Sequence, residues 1–358
     1  MKMSKVDNPL GLGKNELEKA LEIHNQSIVI DCSNVAIVNP WLDKHLAELF
    51  FDKMIEGGVT ASNITVPSSA TSSTNAGISE SAKDFEMHRQ WIRTGSDKAL
   101  LVSRAADIER AKKERRAAII FGPQGGNIIE QSLDAVKFVH EMGVRVMQLT
   151  YNTANFVGDG CMEKRNAGLS NFGMDVVREM NRVGIVVDLS HCGDRTTLEA
   201  IEISNKPPIF SHANARVLFN HPRNRTDEQI KALAEKGGVM CVIPYNPFLR
   251  SKEGGVVATF KDFLRHVDYV VKLVGVEHVG TATDINENNE TRRIWHRQEH
   301  PEVVGKPAFH NYPIGFDGDL RKYSTITMAL VSGGYSDREI SKMLGDNLMR
   351  VFKDVWGG

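Results

Sequence analysis

Eight short apolar runs rich in β-branched residues punctuate the chain, at 28–31, 59–66, 117–121, 144–150, 185–190, 208–212, 238–243 and 278–284, and stretches with helical spacing lie between them. Strand-then-helix alternation builds a parallel sheet, because a strand reaches a parallel partner only through a crossover of about a dozen residues or more. Eight such strands are the number that closes into a (β/α)8 barrel, the TIM-barrel form of the α/β class. An open doubly wound sheet would place a Gly-rich phosphate turn after its first strand, and the segment DCSNVAIV has none. With 358 residues and 41% hydrophobic content the chain suffices for one such barrel spanning 1–358.

The helical stretches carry their own punctuation. Ser170 is placed to cap a helix whose apolar stripe is Phe172, Val176, Met180 and Val183, with Gly184 just past its end. Thr226 with Gln229, and Ser336 with Glu339, have the spacing of capping boxes. Polar segments at 67–81 and 286–321 read as long rim loops, the length at which loops in a compact domain become lids or binding segments.

Charge and apolar distribution narrow the function. The 44 basic and 45 acidic residues are interspersed, which argues against a nucleic-acid partner. No segment approaches the roughly 18 unbroken apolar residues of a membrane span, so no membrane partner is expected. Cys32, Cys161, Cys192 and Cys241 are far apart with no CxxC pair, which points to reduced thiols and a cytoplasmic protein.

In a barrel of this kind the chemistry sits at the carboxyl ends of the strands. The residues closing the runs are Asp31-Cys32-Ser33, Gln124, Tyr151-Asn152, Asp188 with His191, His212, Tyr245-Asn246 and Asp284. VVDLSH and PPIFSH place His191 and His212 at matching positions on consecutive strands, so both imidazoles are expected at one mouth, suited to a shared metal or to acid–base work. The plain alternative for either ring is a hydrogen-bonded polar cap. Asp284 is a candidate general base or proton shuttle, the alternative being an Asx turn. Arg223, in HPRN, is a candidate clamp for a substrate carboxylate, the alternative being a surface ion pair. Cys32 as a nucleophile or soft ligand competes with Cys32 as a small buried apolar residue.

The segments GVRVMQLTYNTAN, GDGCMEKRNAGLSNFGMDVVREMNRVGIVVDLSHCG, FSHANAR and HPRNRTDEQIKALAEKGGV, with GDNLMRVF near the end, resemble the membrane (renal-type) dipeptidases, zinc-dependent barrels of the amidohydrolase superfamily. The resemblance implies two zinc ions that share a Glu from the third strand. It implies one zinc completed by a His-x-Asp pair after the first strand, and the other by His191 and His212. Arg223 takes the place of the carboxylate clamp, Asp284 that of the proton-transfer acid, and Tyr151 that of a substrate-contacting His.

Three of the implied ligands are absent. Where the family reads Asp-Gly-His-Asn-Asp this chain has Asp31-Cys32-Ser33-Asn34-Val35, and Gln124 stands in for the bridging Glu. Val35 cannot coordinate, and a neutral amide does not supply the charge that two close divalent cations need. A mononuclear site on His191 and His212, completed by Asp284, Gln124 or Cys32, is one expectation; a metal-free pocket using the histidines as acid and base is another. The expected function is hydrolysis of a small carboxylate-bearing amide or peptide, anchored by Arg223, with Tyr151, Asn152 and Gln124 as substrate contacts. The alternatives are a non-peptidase enzyme (lyase, decarboxylase or ring-opening hydrolase) and an inactive small-molecule binder. A homodimer is the expected assembly by analogy.

Overall fold

A computed structural model describes residues 7–36, 44–67, 77–249, 258–286 and 312–357. Among the described residues lie ten strands: β1 (Ile30–Ala36), β2 (Ala61–Ile64), β3 (Ala99–Leu101), β4 (Ala117–Phe121), β5 (Val146–Gln148), β6 (Val186–Asp188), β7 (Ile209–Phe210), β8 (Val239–Val242), β9 (Val279–Thr281) and β10 (Ile285–Asn286). Seven of the eight apolar runs contain one of them, and the first, 28–31, overlaps only the start of β1, which runs on to Ala36; β3 and β10 are additional. The pairings run parallel in the orders β10-β1-β2-β4-β3 and β5-β6-β7-β8-β9.

The two orders join into a ring. A parallel bridge couples Phe121 to Val144, the Arg145 N–H donates to the Phe121 carbonyl at 3.1 Å, and the Gln148 N–H donates to the Pro123 carbonyl at 3.0 Å. On the other side β10 follows β9 after residues 282–284 and pairs with β1, which closes the barrel. β3 pairs with the lower part of β4, outside the eight-strand ring. All five residues of β4 are buried, as expected for strands covered on both faces.

The helices lie where the caps predict. Ser170 Oγ accepts from Gly173 N at the start of Asn171–Val183, and Gly184 ends that helix at φ 90°. Val176, Val177 and Met180 are its buried face, while Phe172 and Val183 pack on the core half-buried. Both capping boxes form, at Asp227–Glu235 and at Asp337–Ser341.

The loop expectations need correction. Residues 68–76 and 287–311 lie outside the described residues, but helix Ile78–Thr94 already begins inside the proposed 67–81 loop. Its first N–H is capped from afar: Ile78 N donates to Glu130 Oε1 at 3.0 Å. Asn286 belongs to β10, and Leu320–Lys322 forms a 3₁₀ turn.

Candidate active site

His191 and His212 follow β6 and β7, and the parallel register of those strands brings the rings together. Their Nε2 atoms are 2.9 Å apart, with ring centroids at 5.0 Å and planes at 60°. Each Nδ1 is already engaged, that of His191 with Asn152 Oδ1 at 2.8 Å and that of His212 with Ser211 Oγ at 2.7 Å. Tyr151 stacks on His191 at 4.0 Å and 21°.

Behind His212 lies Asp188, the last residue of β6. Its Oδ1 accepts from Ser190 N at 3.1 Å, Ser190 Oγ at 2.7 Å and Ser211 N at 3.0 Å. Its Oδ2 accepts from Ser211 Oγ at 2.5 Å. Burial pushes this carboxyl above its ordinary range, against the pull of those donors.

Two arginines complete the wall. Arg223 donates through Nη1 to the Ser190 carbonyl, its guanidinium lies 5.1 Å from the centroid of the Phe248 ring, and its buried Nη2 has no hydrogen-bond partner among the described residues. Arg225 is fully buried and donates to the carbonyls of Cys192 and Ser190, both at 2.9 Å. Burial, and then the charge of Arg223, hold both histidines well below the usual imidazole range. Both rings are therefore neutral near pH 7.

The proton inventory at the pair is informative. An Asn carbonyl oxygen only accepts, so His191 carries its proton on Nδ1 and leaves Nε2 bare. If Ser211 gives its one proton to Asp188, His212 likewise carries its proton on Nδ1. Two bare nitrogens then face each other at 2.9 Å, which calls for a shared cation. That arrangement fits one metal ion ligated by two imidazoles.

It does not fit two. Among the described residues no group of three or more His, Cys, Asp or Glu side chains is placed to hold a metal, so even a single ion would have only the two imidazoles of that set as ligands. At the positions where the second ion's ligands would stand, Ser33 Oγ is buried without a partner, Val35 is half-buried, and Gln124 is buried just past β4.

The remaining expected residues are placed as follows. Asp284 is half-buried in a left-handed conformation at φ 56°. Its N–H donates to the Ser33 carbonyl at 2.8 Å and its carbonyl accepts from Tyr312 Oη at 2.7 Å. Asn152, expected at the substrate, has its carbonyl oxygen turned to His191. Cys32 is buried within β1, and a hydrogen bond with Cys241 together with burial pushes its thiol well above the ordinary range, a poor setting for a nucleophile. All four cysteines are free thiols.

Asp188, Ser211 and Arg225 are the participants that sequence reasoning left without a role. Asp188 closes an apolar run, which was a usable signal; Arg225, two residues from Arg223, offered none. Among the described residues no helix is long and apolar enough to cross a membrane.

Known proteins share this framework. A crystal structure of an amidohydrolase from Pseudomonas aeruginosa superposes with a TM-score of 0.82 at 34% identity, covering 95% of this chain and 99% of that one. A dipeptidase of Claviceps purpurea is 27% identical over 283 residues, 78% of this chain and 61% of the relative. An uncharacterized dipeptidase of Schizosaccharomyces pombe is 30% identical over 256 residues, 69% of this chain and 55% of the relative. The chain thus spans about three fifths of the length of these curated relatives. Residues 17–297, which include both histidines and both arginines, match the family model described as membrane dipeptidase, peptidase family M19, and the chain belongs to that family.

Proposed function

We propose that this protein is a dipeptidase-type hydrolase of a small carboxylate-bearing amide or peptide, working with one metal ion, zinc by preference, held between His191 and His212. The observation that carries the reading is the pair of Nε2 atoms facing each other at 2.9 Å with both Nδ1 atoms engaged. When bound, the ion would supply a Lewis acid that polarises a scissile carbonyl and acidifies a neighbouring water.

The chain's own residues supply the rest. Arg223 Nη2, buried and unpartnered, offers a donor for the substrate carboxylate. Tyr151, fixed by stacking on His191, forms a wall for the substrate. Asp284, held at a strand end through its backbone, takes the proton from the attacking water and returns it to the leaving amine. Gln124 contributes a neutral amide where the family's bridging carboxylate would stand. Free thiols fit a reducing, cytoplasmic setting.

Metal analysis after zinc loading, with hydrolysis of a panel of L,L- and L,D-dipeptides, tests the reading. One equivalent with dipeptide turnover is expected, and Arg223→Ala should raise KM on the order of 10- to 100-fold while kcat moves less. No bound metal would instead favour the second reading, in which the hydrogen-bonded imidazole pair does acid–base work in a metal-free pocket on a different substrate.

A further inference from the structure

We propose that Asp188 is a positioning residue that decides, through the hydroxyl of Ser211, which nitrogen of His212 is free to bind the cation; the inference rests on the metal reading above. Three donors converge on Asp188 Oδ1 and one on Oδ2, the latter from Ser211 Oγ at 2.5 Å. Ser211 has a single proton, and with that proton on Oδ2 its oxygen has only lone pairs left for His212 Nδ1, 2.7 Å away. His212 must then carry its proton on Nδ1, and its Nε2 is left bare.

Ser190 locks the arrangement. Its Oγ accepts from the His212 N–H at 3.0 Å and gives its own proton to Asp188 Oδ1 at 2.7 Å. With the Ser190 proton placed instead on the 2.9 Å contact between the two serine oxygens, Ser211 still keeps its own proton for Asp188 Oδ2.

The geometry also fixes what an amide at this position would do. In Asp188→Asn the amide oxygen must occupy the Oδ1 place, because two backbone N–H groups point there. Its NH2 group would then face Ser211 Oγ. The serine hydroxyl, no longer able to donate to residue 188, turns its proton to His212 Nδ1, and the His212 proton moves to Nε2. The variant keeps the shape of the site and blocks one ligand nitrogen.

Two measurements on D188N, S211A and S211T test this. The first is the ¹⁵N shift pattern of His212 in metal-free protein. The second is zinc affinity by competition with a chelator. In the unsubstituted protein His212 should show the Nδ1-protonated tautomer, and D188N should switch it to the Nε2-protonated form. Affinity should fall about 10- to 100-fold in D188N and S211A, while S211T, which restores the hydroxyl, should stay near the unsubstituted value. An unchanged tautomer and unchanged affinity in folded D188N would overturn the proposal. If D188N does not fold, equal affinities in S211A and S211T would overturn it in the same way. If the unsubstituted protein binds no zinc, the metal reading fails, and the tautomer switch still decides the role of Asp188 alone.

Discussion

Arg223 and Arg225 converge on one acceptor, the carbonyl of Ser190, the residue immediately before His191. Their side chains nonetheless differ in what remains free. Arg225 also donates to the carbonyls of Cys192, Arg223 and Pro222, whereas Arg223 keeps Nη2 unpartnered. One arginine ties the loop after β6 to the loop after β7; the other leaves a donor for a ligand.

Arg225→Ala should therefore be a stability variant. It strips buried carbonyls of a charged donor, at a cost of about 3–5 kcal/mol. Urea unfolding of the metal-free protein checks this, and a loss below about 1 kcal/mol would mean that the loops hold together without it.

Acid should destabilise the fold through histidines far from the site. Burial holds His24 and His266 down to about 4. His24 bridges Thr327 Oγ1 and the Gly57 carbonyl, both at 2.8 Å; His266 accepts from Ala215 N at 3.1 Å. In the unfolded chain both take a proton near 6.5, so between 6.5 and about 4 the unfolded state binds more protons. Stability is full above 6.5 and falls on acidification by up to roughly 3 kcal/mol per ring, flattening below about 4. Asp31 acts oppositely: burial pushes it up to about 7, so its cost to the fold shrinks as pH drops from 7 toward 3.8. The two imidazoles outweigh it, and denaturant melts of metal-free protein at pH 7 and 4.5 should show a net loss that is smaller in His24→Gln.

Restoring the family's ligands should restore a second ion. The triple variant Ser33→His, Val35→Asp, Gln124→Glu adds two carboxylates and an imidazole at positions the backbone already provides, and the negative charge offsets repulsion between two divalent cations. Bound zinc should rise from one equivalent to two. A count that stays at one would show that β1, whose register shifts between Asp31 and Asn34, no longer presents those positions to the pocket.

The barrel was legible because parallel strands buried on both faces leave uninterrupted apolar runs: seven of the eight contain a strand and the first meets the start of β1, whose later half, Ser33–Ala36, is too polar to read as one. β3 escaped notice because three residues with little alternation look like many other segments. The start of helix Ile78–Thr94 was missed because Gly77 has no capping side chain; the cap comes from Glu130, 52 positions away. Within the site, His191 and His212 were legible as a pair because both close a run. The chain from Asp188 through Ser211 was not, since it depends on which way each hydroxyl points. Arg225 carried no signal in the sequence, and only the packed loops reveal that its guanidinium is sealed among carbonyls.

The junction of β4 and β5 differs from the other walls of the ring. β3 occupies the lower edge of β4, so the neighbouring wall begins only at the Phe121–Val144 bridge, and the N–H groups of Arg145 and Gln148 span it. Further up, the Gly126 N–H donates to the Leu149 carbonyl at 3.2 Å, so the seam is held by single backbone bonds spread along its length. Gln124 lies just beyond the top of that seam, and Gln148, whose buried amide has no partner, lies within it. Solvent that enters there arrives beside the position where the lost bridging carboxylate would have stood, so the gap in the ligand set lies at one of the two seams where the ladders of the ring meet.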